Sequence, residues 1–216
     1  MDSPTSTRSD ERLFFSLVVG LLFLAATGGW YATHVLLKKD PTHVILPDKA
    51  RQLPEFTLTN SMGLIATRAD LSGKILVVSF LLTSCSLTCP EVTKHMTEIQ
   101  GLTTGQPDVR LVSLTVDPRD DTVSSLAKYG EKYGADTKRW FFLTGDKTVL
   151  YNLISTSFLD QDLNDPFVYM PGNFSHTDRV AVVDSHGRTR AYFDGLRDDV
   201  AASVTAEINR LRQQDR

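Results

Sequence analysis

Ile75-Leu76-Val77-Val78-Ser79-Phe80-Leu81-Leu82 runs straight into Thr83-Ser84-Cys85-Ser86-Leu87-Thr88-Cys89-Pro90-Glu91. The first eight residues are a nearly continuous apolar run, the pattern of a strand buried on both faces. Beyond the loop, Val92, Met96, Ile99 and Leu102 recur at the spacing of one helical face. Thr88 and Glu91 have the spacing of a capping box, which predicts a helix starting at Cys89. Pro90 fits there, because first-turn N–H groups have no intrahelical partner. A buried strand, a loop and an amphipathic helix in that order are the alternation of an α/β fold.

The alternation continues outward. Phe56–Thr59 and Leu64–Thr67 flank the turn signal Asn60-Ser61-Met62-Gly63 and predict a hairpin. Val109–Val116 is a second strand rich in β-branched residues. Val123, Leu126, Ala127 and Tyr133 mark a second helix, closed by Gly134. Trp140–Leu143 is a third strand, and Asp146 is placed to cap a helix through Ile154. Arg179–Val183 and Thr189–Phe193 bracket Asp184-Ser185-His186-Gly187 as a second hairpin, and Val200, Val204, Ile208 and Leu211 line a last helix. The predicted fold is α/β and thioredoxin-like: a central mixed sheet flanked by helices, with an N-terminal hairpin.

Leu13–Thr33 is uncharged over 21 residues, about 31 Å as a helix against a hydrocarbon core of roughly 30 Å. It predicts one transmembrane helix, with Trp30 and Tyr31 at an interface. Its length favours a retained anchor over a cleaved signal. Asp2, Asp10 and Glu11 argue against a mitochondrial transit peptide. The domains follow as a tail over 1–12, an anchor over 13–37, a Pro-containing linker over 38–52 and a globular domain over 53–216. Arg8 and Arg12 precede the run, whereas Lys38, Lys39, Lys49 and Arg51 follow it. That count places the globular domain in the cytoplasm, yet long domains cross membranes largely regardless of charge.

Composition excludes several classes. Of 216 residues, 41% are hydrophobic and 13 are Gly, a globular share that excludes disorder throughout. With 23 Lys+Arg against 26 Asp+Glu, the net charge of −3 leaves nothing to neutralise a row of phosphates, so no nucleic-acid partner is expected. Two cysteines are too few for a disulfide scaffold or a four-cysteine zinc module.

Cys85 and Cys89 sit at the carboxyl end of the buried strand, where open α/β sheets place ligands. The helix N-terminus favours negative charge, so Cys89 is expected to carry a stabilised thiolate. Such a pair can be a structural disulfide, a redox dithiol or part of a metal site. A metal needs a third soft or borderline donor. His34 and His43 fall in or near the linker, His95 is expected on the helix surface, and His186 lies in a hairpin tip. His176 directly precedes the strand Arg179–Val183, which in a thioredoxin-like sheet starts beside the cysteine loop. Met170 offers a weak fourth ligand, although a Met in Tyr169-Met170-Pro171 is more often packing. Asp117, Asp120 and Asp121 form a loop cluster expected to be a solvated turn, with Asp121 or Thr122 capping the next helix.

Several segments, taken in order, resemble the Sco/SenC family of membrane-anchored copper proteins. They are Leu71-Ser72-Gly73-Lys74, the C-x-x-x-C-P of Cys85 to Pro90, Thr115-Val116-Asp117-Pro118 with Arg119-Asp120-Asp121-Thr122, Tyr129 to Ala135, Trp140 to Gly145, and Ser175-His176-Thr177. The match runs from about Gln52 to Leu211. The resemblance implies copper, as Cu(I) or Cu(II), held by Cys85, Cys89 and His176, with Cys85 and Cys89 also forming a redox disulfide. It implies a metallochaperone that receives copper from a donor protein and helps assemble the copper A domain of cytochrome c oxidase subunit II. It also implies a single-pass protein of the cell inner membrane with its domain in the periplasm. The sequence departs from the family where Ser86 and Leu87 replace a common Pro-Asp, Ser84 a common His, and Ser175 a common Asp. Asp178 is expected to face away once the strand has begun.

Softness favours copper over zinc, because only three ligands are found and structural zinc takes four. The alternative is a thiol–disulfide oxidoreductase using Cys85 and Cys89. Such enzymes usually carry a cis-proline before the penultimate strand; here Ser175-His176-Thr177 stands there.

Overall fold

The computed structural model describes Val19, Gly20 and residues 51–158 and 178–214. Val19 and Gly20 are helical and exposed. The rest of the apolar run, His34, His43, Met170 and His176 lie outside the described residues. Among those described, no helix is long and apolar enough to cross a membrane.

Among the described residues, seven strands form one mixed sheet: β1 (Thr57–Asn60), β2 (Ile65–Thr67), β3 (Ile75–Leu81), β4 (Val109–Thr115), β5 (Trp140–Thr144), β6 (Arg179–Val183) and β7 (Thr189–Asp194). Their order is β2-β1-β5-β4-β3-β6-β7. The three strands β3, β4 and β5 are parallel; the hairpins β1–β2 and β6–β7 add antiparallel edges on either side. The helices are α1 (Arg68–Leu71), α2 (Cys89–Leu102), α3 (Val123–Lys132), α4 (Lys147–Ser157) and α5 (Val200–Gln214).

The strand β3 explains the layers. All seven of its residues are buried. Side chains alternate across a strand, so Ile75, Val77 and Leu81 pack with Met96 and Ile99 of α2, Leu126 of α3 and Val204 and Ile208 of α5. Leu76, Val78 and Phe80 pack on the other face with Leu58, Leu150, Leu153 and Ile154. Two polar residues inside this core are satisfied across the parallel register that pairs Ser79 with Ser113. The Ser79 and Ser113 hydroxyls are 2.8 Å apart, and the Trp140 indole N–H donates to Ser113 Oγ at 2.9 Å.

Local signals read from the sequence recur with small shifts. Asn60 Oδ1 accepts from the N–H of Met62 and Leu64, and Gly63 takes the positive φ that closes the first hairpin. Asp146 caps α4 through the N–H of Thr148 and Val149, and the helix runs on to Ser157. Thr122, not Asp121, caps α3. Two apolar positions miss the core: Leu102 is 54% exposed, and Ala127 is exposed while Tyr129 and Gly130 take the buried face. Gly130 is needed there, since a Cβ would sit 3.1 Å from the Phe142 ring.

Candidate metal centre

The site is the loop between the C-terminal end of β3 and the N-terminus of α2. The Cys85 N–H donates to the Leu82 carbonyl at 3.0 Å, which turns the chain just past the strand. The helix begins at Cys89 as the spacing predicts, but Thr88 has helical φ and ψ and makes no side-chain cap. Instead its carbonyl accepts from the N–H of Glu91 and Val92, and Glu91 pairs with Lys94 at 2.7 Å. Inside the helix, Thr93 Oγ1 donates to the Cys89 carbonyl at 2.7 Å and lies 2.8 Å from the Tyr129 hydroxyl.

Both cysteines are free thiols; Cys85 is half-buried and Cys89 buried. Their sulfurs face each other within hydrogen-bond reach. Burial pushes the Cys89 thiol up to about 12, and the charges of Cys85 and Asp178 press the same way against a hydrogen bond from the Leu82 N–H. Partial burial also opposes ionisation of Cys85. Hydrogen bonds from the N–H groups of Cys89, Leu87 and Thr88, and from the Cys89 side chain, outweigh it and hold the Cys85 thiol below its ordinary value. Cys85 is therefore the more readily ionised of the two, the reverse of the expectation for Cys89. The helix N-terminus does favour an anion, but its N–H groups are aimed at the outer sulfur, and desolvation governs the inner one.

Two further expectations are corrected. His95 is not on the surface: it is 5% exposed, and its Nδ1 lies 2.9 Å from the Gly195 carbonyl. It shares the helical face of Val92 and Ile99, so periodicity carried a signal that its polarity masked. Asp121 is not in a solvated turn but fully buried. Its carboxylate accepts from the Thr83 N–H, the Thr83 hydroxyl and the Thr115 hydroxyl. Asp178 lies near enough for its charge to add to the rise at Cys89. His186 is exposed in its hairpin tip, as expected.

The register pairs Val78 with Ala181 across antiparallel strands, so β6 starts level with the end of β3. Asp178, which precedes β6 and follows His176 by two residues, thus comes to the cysteine end of the sheet. Among the described residues no three His, Cys, Asp or Glu side chains converge as a metal cluster. The described site contributes two sulfur donors that can close as a disulfide or share one soft cation. Between them, Leu87 is 82% exposed.

Residues 46–213 match the SCO1/SenC family. The chain belongs to that family. A SCO1 protein homolog of Bacillus subtilis is 29% identical over 202 residues, covering 88% of this chain and 96% of the relative. A SCO1/SenC family lipoprotein from Bacillus anthracis superposes with a TM-score of 0.64 at 26% identity, covering 77% of this chain and 99% of that one. The copper-bound ScoI of Bradyrhizobium japonicum shares the fold, with a TM-score of 0.57 at 22% identity over 73% of this chain and 98% of its own. In SCO1/SenC terms, the thioredoxin-like sheet is shared across these structures, and the cysteine loop sits at the carboxyl ends of its parallel strands.

Proposed function

We propose that this SCO1/SenC protein is a membrane-anchored copper metallochaperone that loads the copper A domain of cytochrome c oxidase subunit II. Cys85, Cys89 and His176 are its ligands, the segment 13–37 its anchor, and the periplasmic face of the inner membrane its location. The carrying observation is the pair of free sulfurs facing each other at the end of β3, where the strand that follows His176 begins. Family membership and the copper-bound relative support copper as the cargo. Two sulfurs and an imidazole suit Cu(I) and also hold Cu(II). The ion arrives from a donor protein and leaves by ligand exchange, one donor at a time. Titrating the reduced domain with Cu(I) and Cu(II), with and without His176→Ala, tests the ligand set. Unchanged affinity in the variant removes His176 from the site.

One observation favours a second reading as a thiol–disulfide oxidoreductase. A half-buried, more readily ionised Cys85 beside a buried Cys89 has the polarity of an attacking and a resolving thiol. Cys85 would attack a client disulfide and release one client thiolate. Cys89 would then displace the other, leaving the Cys85–Cys89 disulfide. Catalytic turnover of a disulfide substrate by copper-free protein, supplied with a thiol reductant, separates this reading from the first.

A further inference from the structure

Asp121 is fully buried. It lies between β4 and α3, away from both cysteines in sequence. Buried carboxylates elsewhere in the domain are neutralised: Asp184 pairs with Arg188 and Arg190. Among the described residues no ion pair includes Asp121. Its partners are neutral donors: the Thr83 N–H at 3.1 and 3.3 Å from its two oxygens, the Thr83 hydroxyl at 2.5 Å and the Thr115 hydroxyl at 2.5 Å. A buried carboxyl group is costly unless it is densely hydrogen-bonded, and these neutral donors supply the bonds.

Those bonds converge on the base of the cysteine loop. Thr83 follows Leu82, and Leu82 touches both cysteines: its carbonyl accepts the Cys85 N–H, and its N–H faces the Cys89 sulfur. On its own side, Asp121 is held by its N–H to the Asp117 carbonyl at 2.9 Å, and Thr122 opens α3. Asp121 thus ties the start of α3 to Thr83, the peptide neighbour of Leu82, whose backbone meets the Cys85 N–H and the Cys89 sulfur.

We propose that Asp121 is the positioning residue of the cysteine pair. It clamps Thr83 so that the reduced loop holds its sulfurs at the separation a bound ion needs, and it resists collapse to the disulfide. The metal arm of the test rests on the copper reading; the redox arm does not.

The test uses the purified protein with its loop reduced, in the variants Asp121→Asn, Thr83→Val and Asp184→Asn. Asparagine keeps the shape but loses one acceptor oxygen; valine removes only the Thr83 hydroxyl. Asp184→Asn controls for loss of a buried carboxylate, because Asp184 follows Val183, which pairs with Leu76 near the opposite end of β3. The first readout is the copper-free exchange equilibrium with glutathione. Glutathione disulfide takes up two electrons and two protons as Cys85 and Cys89 join, giving two glutathione thiols. The second is copper affinity. Asp121→Asn and Thr83→Val should each shift the equilibrium about tenfold toward the disulfide, roughly 30 mV for this two-electron couple. Each should also weaken copper binding by about tenfold or more, the usual effect of removing a partner that orients ligands. Asp184→Asn should lower stability and move neither. Equilibria and affinities within about twofold of the parent for both loop variants would overturn the proposal. If Asp121→Asn does not fold, Thr83→Val decides alone. If the parent binds no copper, the metallochaperone reading fails and the exchange equilibrium still decides for Asp121.

Discussion

The Nδ1 atom of His95 lies 2.9 Å from the carbonyl oxygen of Gly195. That contact fastens α2, the helix that carries Cys89, to the turn after β7. The same turn holds the entry to β6, because the Gly195 N–H donates to the Asp178 carbonyl at 2.6 Å. Two segments that flank the cysteine loop, α2 and the entry to β6, are thus joined at one glycine.

Gly195 should tolerate no side chain. A Cβ there would lie 2.3 Å from the Asp178 carbonyl oxygen and 3.1 Å from Val92. Gly195→Ala is expected to destabilise the fold by about 1–3 kcal/mol, the range for overpacking against backbone that cannot yield. Urea unfolding measures it, and an unchanged midpoint would refute the contact.

His95→Ala should cost about 1–3 kcal/mol, since it deletes a buried hydrogen bond and leaves a void beside Val92. His95→Gln, which can still donate toward Gly195, should recover part of that loss. Thermal unfolding of the pair tests the assignment, and equal melting points would defeat it.

Alkylation should discriminate the cysteines. Cys85 is held below the ordinary thiol value, whereas Cys89 is raised to about 12. Cys85 should therefore be the more reactive thiol at any pH where both are reduced. Limiting iodoacetamide followed by peptide mapping should label Cys85 first, and its rate should level off at lower pH than that of a free cysteine. Preferential labelling of Cys89 would reverse the assignment.

Acid should remove the contribution of Asp184. Burial opposes its ionisation, but hydrogen bonds and charge from Arg188 and Arg190 outweigh that and hold its carboxyl below the usual range. A depressed folded pKa means stabilisation that is present above the unfolded value near ~3.9 and lost as pH falls through the folded one. The stability gap between the parent and Asp184→Asn should therefore be widest near neutrality and close toward pH 2. A gap independent of pH would show that the charge is immaterial.

Oxidation should gate metal uptake. On the proposed ligand set, joining Cys85 to Cys89 removes both sulfur donors, so the oxidised protein should bind copper at least tenfold more weakly than the reduced protein. Reductant should restore binding. Equal uptake by both forms would exclude the pair as ligands.

Most of the fold was legible because the decisive patterns are local. The apolar run at Ile75 announced a two-faced strand, and Val92, Met96 and Ile99 announced the helix packed against it. The turn residues at Asn60 and Gly63 and the cap at Asp146 each act within four residues, so adjacent sequence suffices to read them. The cysteines were legible for the same reason, lying where a strand gives way to a helix. Leu102 and Ala127 misled because periodicity marks a face without saying how far the opposing layer extends.

The sequence by itself determined the order of strands and helices, the family and the two sulfur positions, since these rest on residue identity and short spacing. Only the tertiary structure decided which sulfur ionises more readily, that His95 is buried, and that Asp121 bonds to the base of their loop. The physical reason is that ionisation and hydrogen-bond satisfaction depend on desolvation and on neighbours brought together from distant parts of the chain. Thr83 and Asp121 are 38 positions apart, and His95 and Gly195 are 100 apart.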